Sequence, residues 1–501
     1  MVLALASCSG TTEQNSSISH TRLSRDDWAE DVKKGVNDFL DAYGIDSKNY
    51  KEDTYVVFDF DNTCSIFDVE EQLSIYQLQT MSFEIEPENL KEVLLTGLQD
   101  PNLDRSELGY GKGSYNDWVY DITNAYEYLY KTYGPFNAEG LDNEKMKIVQ
   151  EDSMWKEFAT KMRTLYDLVY DAESVSVAYP WILYWFTGMT EEQVYKLSLN
   201  SHNEYKKVET SLVIWESPKD LKTKVGPVSY EWISGVQVSD NIKELWKVLD
   251  DNGIDVWVCS ASGVNQIRAA VDAWDLHEYC TGLIAMTNSL DENNIYINSY
   301  DYETGCGYYA KENGQWEKMT RPEKAQTQGL GKVEAITNAI SPEYNNHGPI
   351  GGFMDSTGDY NFCTEFETLK LVICFNRASR KITDGGGVIA EVAVYEKDTL
   401  GYDFAKADEA GDTYYLLQGR NENGLRTFNP SNLTNRYGKE GDLLFANEDN
   451  QTQLQYMIDH KMTVAEAINE FAIKRSVDDK DNVLGIKYGF LKEFGGYHQH
   501  K

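Results

Sequence analysis

No stretch of the 501 residues approaches the roughly 18 consecutive apolar residues that a membrane-spanning helix needs. None of the seven cysteines pairs as CxxC, which argues against a structural zinc site. There is no internal repeat and no low-complexity tract. Cationic residues are outnumbered: 46 Lys and Arg stand against 82 Asp and Glu, for a net charge of −36. A general nucleic-acid binder needs a cationic footprint, so that class is excluded. An anionic small molecule is not, because a buried metal and one Lys can reverse the local field. At 41% hydrophobic and 26% charged, the chain is globular rather than disordered, and it is long enough for two or three domains.

The first residues are Met1-Val-Leu-Ala-Leu-Ala-Ser-Cys8. Leu5-Ala6-Ser7-Cys8 resembles the lipobox of bacterial lipoproteins, although the apolar run before it is shorter than a full signal h-region. The resemblance implies lipidation of Cys8, a polar tether from Ser9 to His20, and attachment to the bacterial cell envelope through a lipid anchor, without spanning the membrane. Cys259 and Cys374 lie in apolar runs and read as buried small hydrophobes. Cys280 and Cys306 flank one insertion and are a candidate disulfide.

Ser24 to Tyr43 has helical periodicity, with Ser24 as its cap. Tyr55–Phe58 is a continuous apolar strand ending at Asp59, as in a parallel sheet covered on both faces. Further strands are expected at Ile254–Cys259, Ile350–Met354 and Leu369–Phe375, with helices at Ile242–Leu249, Val264–Trp274 and Lys332–Ile340. Alternating strands and helices predict an α/β fold with a three-layer parallel sheet, whose active site lies at the carboxyl ends of the strands. About 200 residues separate Asp59 from Ser260, far more than a crossover connection requires. The expected organisation is a tether over 1–23, a first core part over 24–73, an inserted helical domain over 74–238, a second core part over 239–384, and a C-terminal extension of strands and a late helix over 385–501. The insertion is rich in aromatics, including Tyr110, Trp118, Tyr126, Tyr179 and Trp181, whose helical spacing fits a hydrophobic core at least as well as a ligand cage. Thr190 with Gln193, and Thr463 with Glu466, have the form of capping boxes.

The strand ends carry the chemistry. Asp59 and Asp61, two residues apart after a hydrophobic strand, can both reach one site. Asp59-Phe-Asp-Asn-Thr63, Val-Trp-Val-Cys-Ser260, Gly331-Lys332 and Asp355-Ser-Thr-Gly-Asp359 occur in that order. Together they resemble the four motifs of the haloacid dehalogenase superfamily. The resemblance implies a Rossmann-like core with a cap inserted after the first catalytic strand. By the same resemblance Asp59 is the nucleophile and Asp61 the general acid and base. Ser260, with Thr63 and Ser262 nearby, would bind the phosphoryl group, and Lys332 would neutralise charge. Mg²⁺ would be held by Asp59, the Asp61 carbonyl and Asp355, with Asp359 as a further carboxylate at the metal site. Asp61 favours a phosphatase over a dehalogenase, which needs neither a second Asp nor a metal.

Asp68-Val-Glu70-Glu71, Tyr179-Pro-Trp181, Gly188-Met-Thr190 and Tyr414-Tyr-Leu-Leu-Gln-Gly-Arg-Asn are similar to segments of the bacterial phosphorylcholine phosphatases. That likeness implies a small organic phosphate as substrate, with Glu70 or Glu71 and aromatic faces receiving a quaternary ammonium. Two alternatives stand beside it. One is a phosphatase for another small phosphomonoester or a phosphoprotein. The other is a catalytically inactive solute-binding lipoprotein on the same fold.

Overall fold

The structure is a computed structural model that describes residues 21–476, except 52, 174, 302–304, 321–325, 379–384, 425, 440–442 and 446–451. Cys8 and most of the expected tether lie outside the described residues. No described helix is long and apolar enough to cross a membrane.

The chain folds around an eight-stranded sheet. Its strands are β1 (Tyr55–Phe58), β2 (Asp255–Gly263), β3 (Gly282–Met286), β4 (Cys306–Glu312), β5 (Gln315–Lys318), β6 (Gly351–Met354), β7 (Leu371–Phe375) and β8 (Tyr414–Gln418). The spatial order is β8-β7-β6-β1-β2-β3-β4-β5. The six strands from β8 to β3 run parallel, and β4 and β5 complete the sheet antiparallel. Helices cover both faces, giving a Rossmann-like α/β architecture.

The continuous apolar strands are explained by this double cover. In β1 every residue is buried. Val56 and Phe58 face one hydrophobic cluster, while Tyr55 and Val57 face another on the opposite side. Val256 and Val258 of β2 join the first cluster, and Trp257 and Cys259 join the second. The strand period of two therefore assigns each side chain to a layer without polar interruption. Phe58 stacks on Phe353 of the neighbouring strand at 3.8 Å between ring centroids. β1 sits between β2 and β6, so the chain leaves β1 toward one side of the sheet and later builds the other side. The crevice outside the carboxyl end of β1 is a topological switch point.

Between β1 and β2 lies a mainly helical insertion with a third hydrophobic cluster of its own, to which Trp118, Tyr126, Phe158, Trp181 and Trp185 contribute. Its long helices include Tyr115–Tyr133 and Ser153–Glu173. The first opens on a Ser114/Asp117 capping box, and Glu191–Tyr205 opens on the Thr190/Gln193 box. Most of the aromatics singled out in the sequence are core residues here, the reading that helical spacing favours. A hairpin, Ser211–Glu216 with Ser229–Ser234, returns the chain toward the sheet.

Several expectations are corrected. The first helix, α1, spans Glu30–Tyr43, not Ser24–Tyr43. Ser24 does not cap it, because its N–H and hydroxyl both donate to Glu244 Oε1 on the helix before β2. Cys280 and Cys306 are buried and not disulfide-bonded. Cys306 pairs with Met286 at one end of the β3–β4 ladder, whereas Cys280 lies two residues before Gly282, which pairs with Ala310 at the other end. The strand rise alone puts them well over 10 Å apart, beyond disulfide reach. The segment from Gly385 begins with a helix, Gly385–Val394, and then contributes β8 to the main sheet, so the parallel core continues past residue 384.

His202 links the last long helix of the insertion to the helix after β2, Val264–Ala273, through a hydrogen bond between Nε2 and the Gln266 carbonyl at 3.1 Å. Burial lowers its pKa from 6.5 to about 4, and Nδ1 is buried without a hydrogen-bond partner, so a second ring proton would be stranded. As pH falls below 6.5 the unfolded chain takes up a proton that the folded chain refuses. Stability is therefore full above 6.5 and is lost as pH falls toward about 4. The loss is up to about 3 kcal/mol. Chemical denaturation of His202→Gln between pH 7 and 4 is expected to show a flatter pH dependence than wild type, and an unchanged slope would refute this role.

Candidate active site

The four motif segments converge at the carboxyl ends of β1, β2 and β6. Asp59 follows β1, and its N–H donates to the Phe353 carbonyl of β6 at 3.0 Å, which extends the sheet to the site itself. The chain then turns sharply. Asn62 is left-handed at φ 61°, a conformation Asn tolerates better than most residues. The Asn62 carbonyl accepts from the buried Arg420 Nη1 at 2.7 Å. Phe60 is buried in the core, and its carbonyl receives the N–H groups of Cys64 and Ser65. This turn returns Asp61 toward the site. Asp61 Oδ1 accepts from the Val69 N–H at 2.7 Å, and Oδ2 accepts from the Ser262 hydroxyl at 2.6 Å.

Lys332 stands at the centre. Its ammonium donates to Asp59 Oδ1 and to Asp359 Oδ1, each at 2.6 Å. It is held by the short helix Leu330–Ala335, which begins after Gly329 at φ 56° and ψ −125°, a conformation reserved for glycine. The Gly329 N–H donates to the Gly358 carbonyl at 2.8 Å, tying this helix to the Asp355–Asp359 turn. The remaining oxygen of Asp359 accepts long bonds from the N–H groups of Asp355 and Ser356. Asp355 accepts from Thr63 Oγ1 at 3.4 Å on one oxygen and from Arg377 at 2.8 Å on the other.

Asp59, Asp355 and Asp359 bring one carboxylate oxygen each to within 4.8 Å of one another. All three are buried, and the donor set is entirely hard oxygen, which suits a hard divalent cation. Charge balance points the same way. Three carboxylates face Lys332 and Arg377, and the Arg377 side chain is 43% exposed and partly screened by water. Burial, together with the charge of Asp59, pushes Asp359 up to about 8, and burial raises Asp59 despite Lys332. A cation bound among them would remove that penalty. The Asp61 carboxylate is not part of this triad, since both its oxygens are engaged by Val69 and Ser262. Any contribution from Asp61 to a metal is therefore through its backbone carbonyl, as the resemblance implied.

The two serines at the carboxyl end of β2 have different partners. Ser260 is buried and lines the cavity, and its Oγ accepts from the Ser262 N–H at 3.1 Å. Neither serine caps the following helix. The cap residue is Gly263, whose N–H is taken by Gln266 and by Glu70 Oε2. Burial raises Asp61 to about 8, which favours its protonated form. A carboxyl held neutral beside an ionised one is the pairing that general acid catalysis needs.

Above these residues opens a cavity of about 1180 Å³. Glu70 and Glu71 both line it, from the start of the helix Val69–Thr80. Asp68 caps that helix by accepting from the Glu71 N–H at 2.9 Å. Glu71 is half-exposed, 3.7 Å from Arg163. The aromatic lining comes from Tyr110, Tyr166, Tyr170, Tyr179, Tyr230 and Trp232. Only Tyr110 and Tyr179 of these were singled out from the sequence. The others sit among core aromatics of the same spacing, and no linear signal separates them. Arg377 and Arg420 were also missed. Arg420 lies in the Tyr414–Asn421 segment, but neither Arg belongs to a strand-end acidic motif.

Comparison with known proteins adds a fold neighbour without a function. No family model and no curated protein matches the chain. A solved structure described as a conserved functionally unknown protein from Anaerococcus prevotii DSM 20548 is similar, with 26% identity and a TM-score of 0.63 over 82% of this chain and 97% of that one.

Glu70 tests the electrostatics of the cavity. Burial first, and then Asp68, raises its pKa from 4.5 to about 8. The folded chain keeps this proton where the unfolded chain has lost it, so the contribution falls as pH rises from 4.5 and is fully lost above about 8. Glu70→Gln keeps the acceptor for Gly263 and is expected to raise Tm above wild type at pH 9, with the gap closing by pH 5. A Tm difference independent of pH would contradict the assignment.

Proposed function

We propose that this protein is a metal-dependent phosphomonoester hydrolase that works through an aspartyl-phosphate. The observation that carries the reading is Lys332 clasped between Asp59 and Asp359, with the buried Asp61 held by Val69 and Ser262 two residues beyond Asp59. Asp59 is the nucleophile. Its carboxylate attacks phosphorus and forms the acyl phosphate, while Asp61 gives its proton to the departing oxygen. Asp61, now ionised, takes a proton from the water that attacks the acyl phosphate, and inorganic phosphate leaves. Ser262 holds Asp61 in place through Oδ2. Ser260 and Lys332 contact phosphoryl oxygens, and Lys332 also keeps Asp59 ionised despite its burial. Mg²⁺ is the cation that best suits the buried carboxylates and would gather charge on the phosphoryl group. Asp359, occupied by Lys332 and two backbone N–H groups, positions that Lys.

The helical insertion acts as a cap in this reading. It closes over the site and excludes water from the acyl phosphate. A small organic phosphate fits the cavity, and phosphorylcholine is the preferred candidate. A quaternary ammonium donates no hydrogen bonds and is received by aromatic faces and carboxylates, which Tyr166, Tyr170, Tyr179, Glu70 and Glu71 provide. An arriving cation would also supply the counter-charge whose absence keeps Glu70 protonated. The lipobox reading of Cys8 adds attachment to the cell envelope.

A panel of phosphomonoesters with and without Mg²⁺ tests this. Wild type is expected to release phosphate only with the metal, and Asp59→Asn to lose at least about a thousandfold of that rate. Metal-independent turnover, or none, would sink the hydrolase reading. Hydrolysis of phosphoserine or sugar phosphates with phosphorylcholine inert would sink the choline assignment alone. Asp61→Asn is expected to slow both formation and breakdown of the phosphoenzyme in rapid-quench experiments, because one carboxyl serves both steps. Wild-type rates in either step would contradict that double role.

A further inference from the structure

The catalytic cavity is electrically divided. The wall formed by the helix Val69–Thr80, its cap and the insertion carries Asp68, Glu70, Glu71, Asp167, Asp171 and Glu231. Among the described residues, no Lys or Arg of the insertion lines it. The lining that follows β7 and β8 carries Arg377, Arg420, Arg436 and Lys439, with Glu422 the one carboxylate of that stretch among the described residues. A cationic wall is unexpected in a chain with a net charge of −36.

The cations of that wall stand at graded depths. Arg420 is buried, and it is committed to the Asn62 carbonyl and, at 3.0 Å, to Glu422. Arg377 is exposed but reaches inward. One of its nitrogens binds Asp355 while 43% of the side chain remains exposed. Arg436 and Lys439 are exposed at the rim. The series runs from solvent to Asp355, which belongs to the acidic triad.

We propose that this wall is the route of the phosphate group, admitting the substrate's anionic end and releasing inorganic phosphate. The inference rests on the phosphatase reading and extends it by assigning the direction of approach. A phosphate dianion nearing a strongly acidic protein is repelled at long range, and a cleft lined by the opposite sign focuses the field and raises the rate of capture. The carboxyl-bearing wall offers the anion no comparable attraction. The substrate is therefore oriented before it binds, with phosphate along the cationic wall and its leaving group against the insertion.

The test uses Arg436→Gln with Lys439→Gln, rim substitutions away from the core, on the full chain with Mg²⁺. A control variant, Lys145→Gln with Lys147→Gln, makes the same change of net charge on an exposed helix of the insertion. The substrate is p-nitrophenyl phosphate, which carries no cation, assayed from low to high salt. The rim variant is expected to lose about five- to tenfold in kcat/KM at low salt, with kcat reduced less and the gap closing as salt screens the field. The control is expected to lose much less. Equal losses in rim and control variants, or a rim variant with the wild-type kcat/KM and salt slope, would overturn the proposal. If wild type hydrolyses nothing, the phosphatase reading fails separately. Calorimetric binding of inorganic phosphate then decides the inference: weaker binding by the rim variant alone supports it, and equal binding by all three proteins overturns it.

Discussion

The bridge from Lys332 to Asp59 and Asp359 is the interaction on which the site depends. It takes three buried charges from three separate parts of the chain and fixes them at 2.6 Å contacts. A charge buried alone costs several kcal/mol, and each of the three lowers that cost for the others. The surrounding structure serves this arrangement. Gly329 lets the Lys332 helix begin against the Asp355–Asp359 turn, and the Asp59 N–H is hydrogen-bonded to β6, so nucleophile and acidic turn move as one sheet. Even with the bridge the site holds more negative than positive charge, and this residual imbalance makes it a place for a metal cation.

Charge asymmetry continues outward. Around the bridge the cavity separates into a carboxylate- and tyrosine-rich wall and a guanidinium-rich wall. The first suits a cationic or aromatic-seeking leaving group, and the second suits phosphate. Raised pKa values on Asp61 and Glu70 follow from the same burial, and they give two carboxyls different tasks. Asp61 is held by the Val69 N–H and the Ser262 hydroxyl two residues past Asp59. Glu70 stabilises the β2 loop through Gly263 and awaits a counter-charge. The site thus lowers the stability of the empty fold at alkaline pH, a cost often met where function requires buried charge.

Much of the core was legible in the sequence because both signals are local. A strand buried on two faces reads as an uninterrupted apolar run, and the parallel α/β rule places the next polar residue at the carboxyl edge. Tyr55–Phe58 with Asp59, and the run ending at Met354 with Asp355, follow that logic. Helix starts were less secure. Ser24 has the right chemistry for a cap, yet Glu244, 220 residues away, takes both its donors. Cys280 and Cys306 flank one insertion, but an antiparallel ladder places them at opposite ends. Tyr414–Leu417 was legible as part of a strand-bearing segment, but its place in the main sheet was not, because its partner β7 cannot be read from either segment alone.

The sequence by itself determined the candidate site: Asp59, Asp61, Ser260, Lys332, Asp355 and Asp359 each lie beside or at the end of a strand or helix whose pattern fixes where they emerge. Tertiary structure alone decided which carboxyls share a cation and which stand apart, because that depends on distances between segments hundreds of residues distant. It also decided which of the many tyrosines face the cavity, since Tyr126 and Tyr166 have the same helical character and differ only in what packs over them. Arg377, Arg420, Arg436 and Lys439 gather for the same reason. No motif marks them, and only the folding of the chain after β7 and β8 brings four scattered cations to one cavity of an acidic protein.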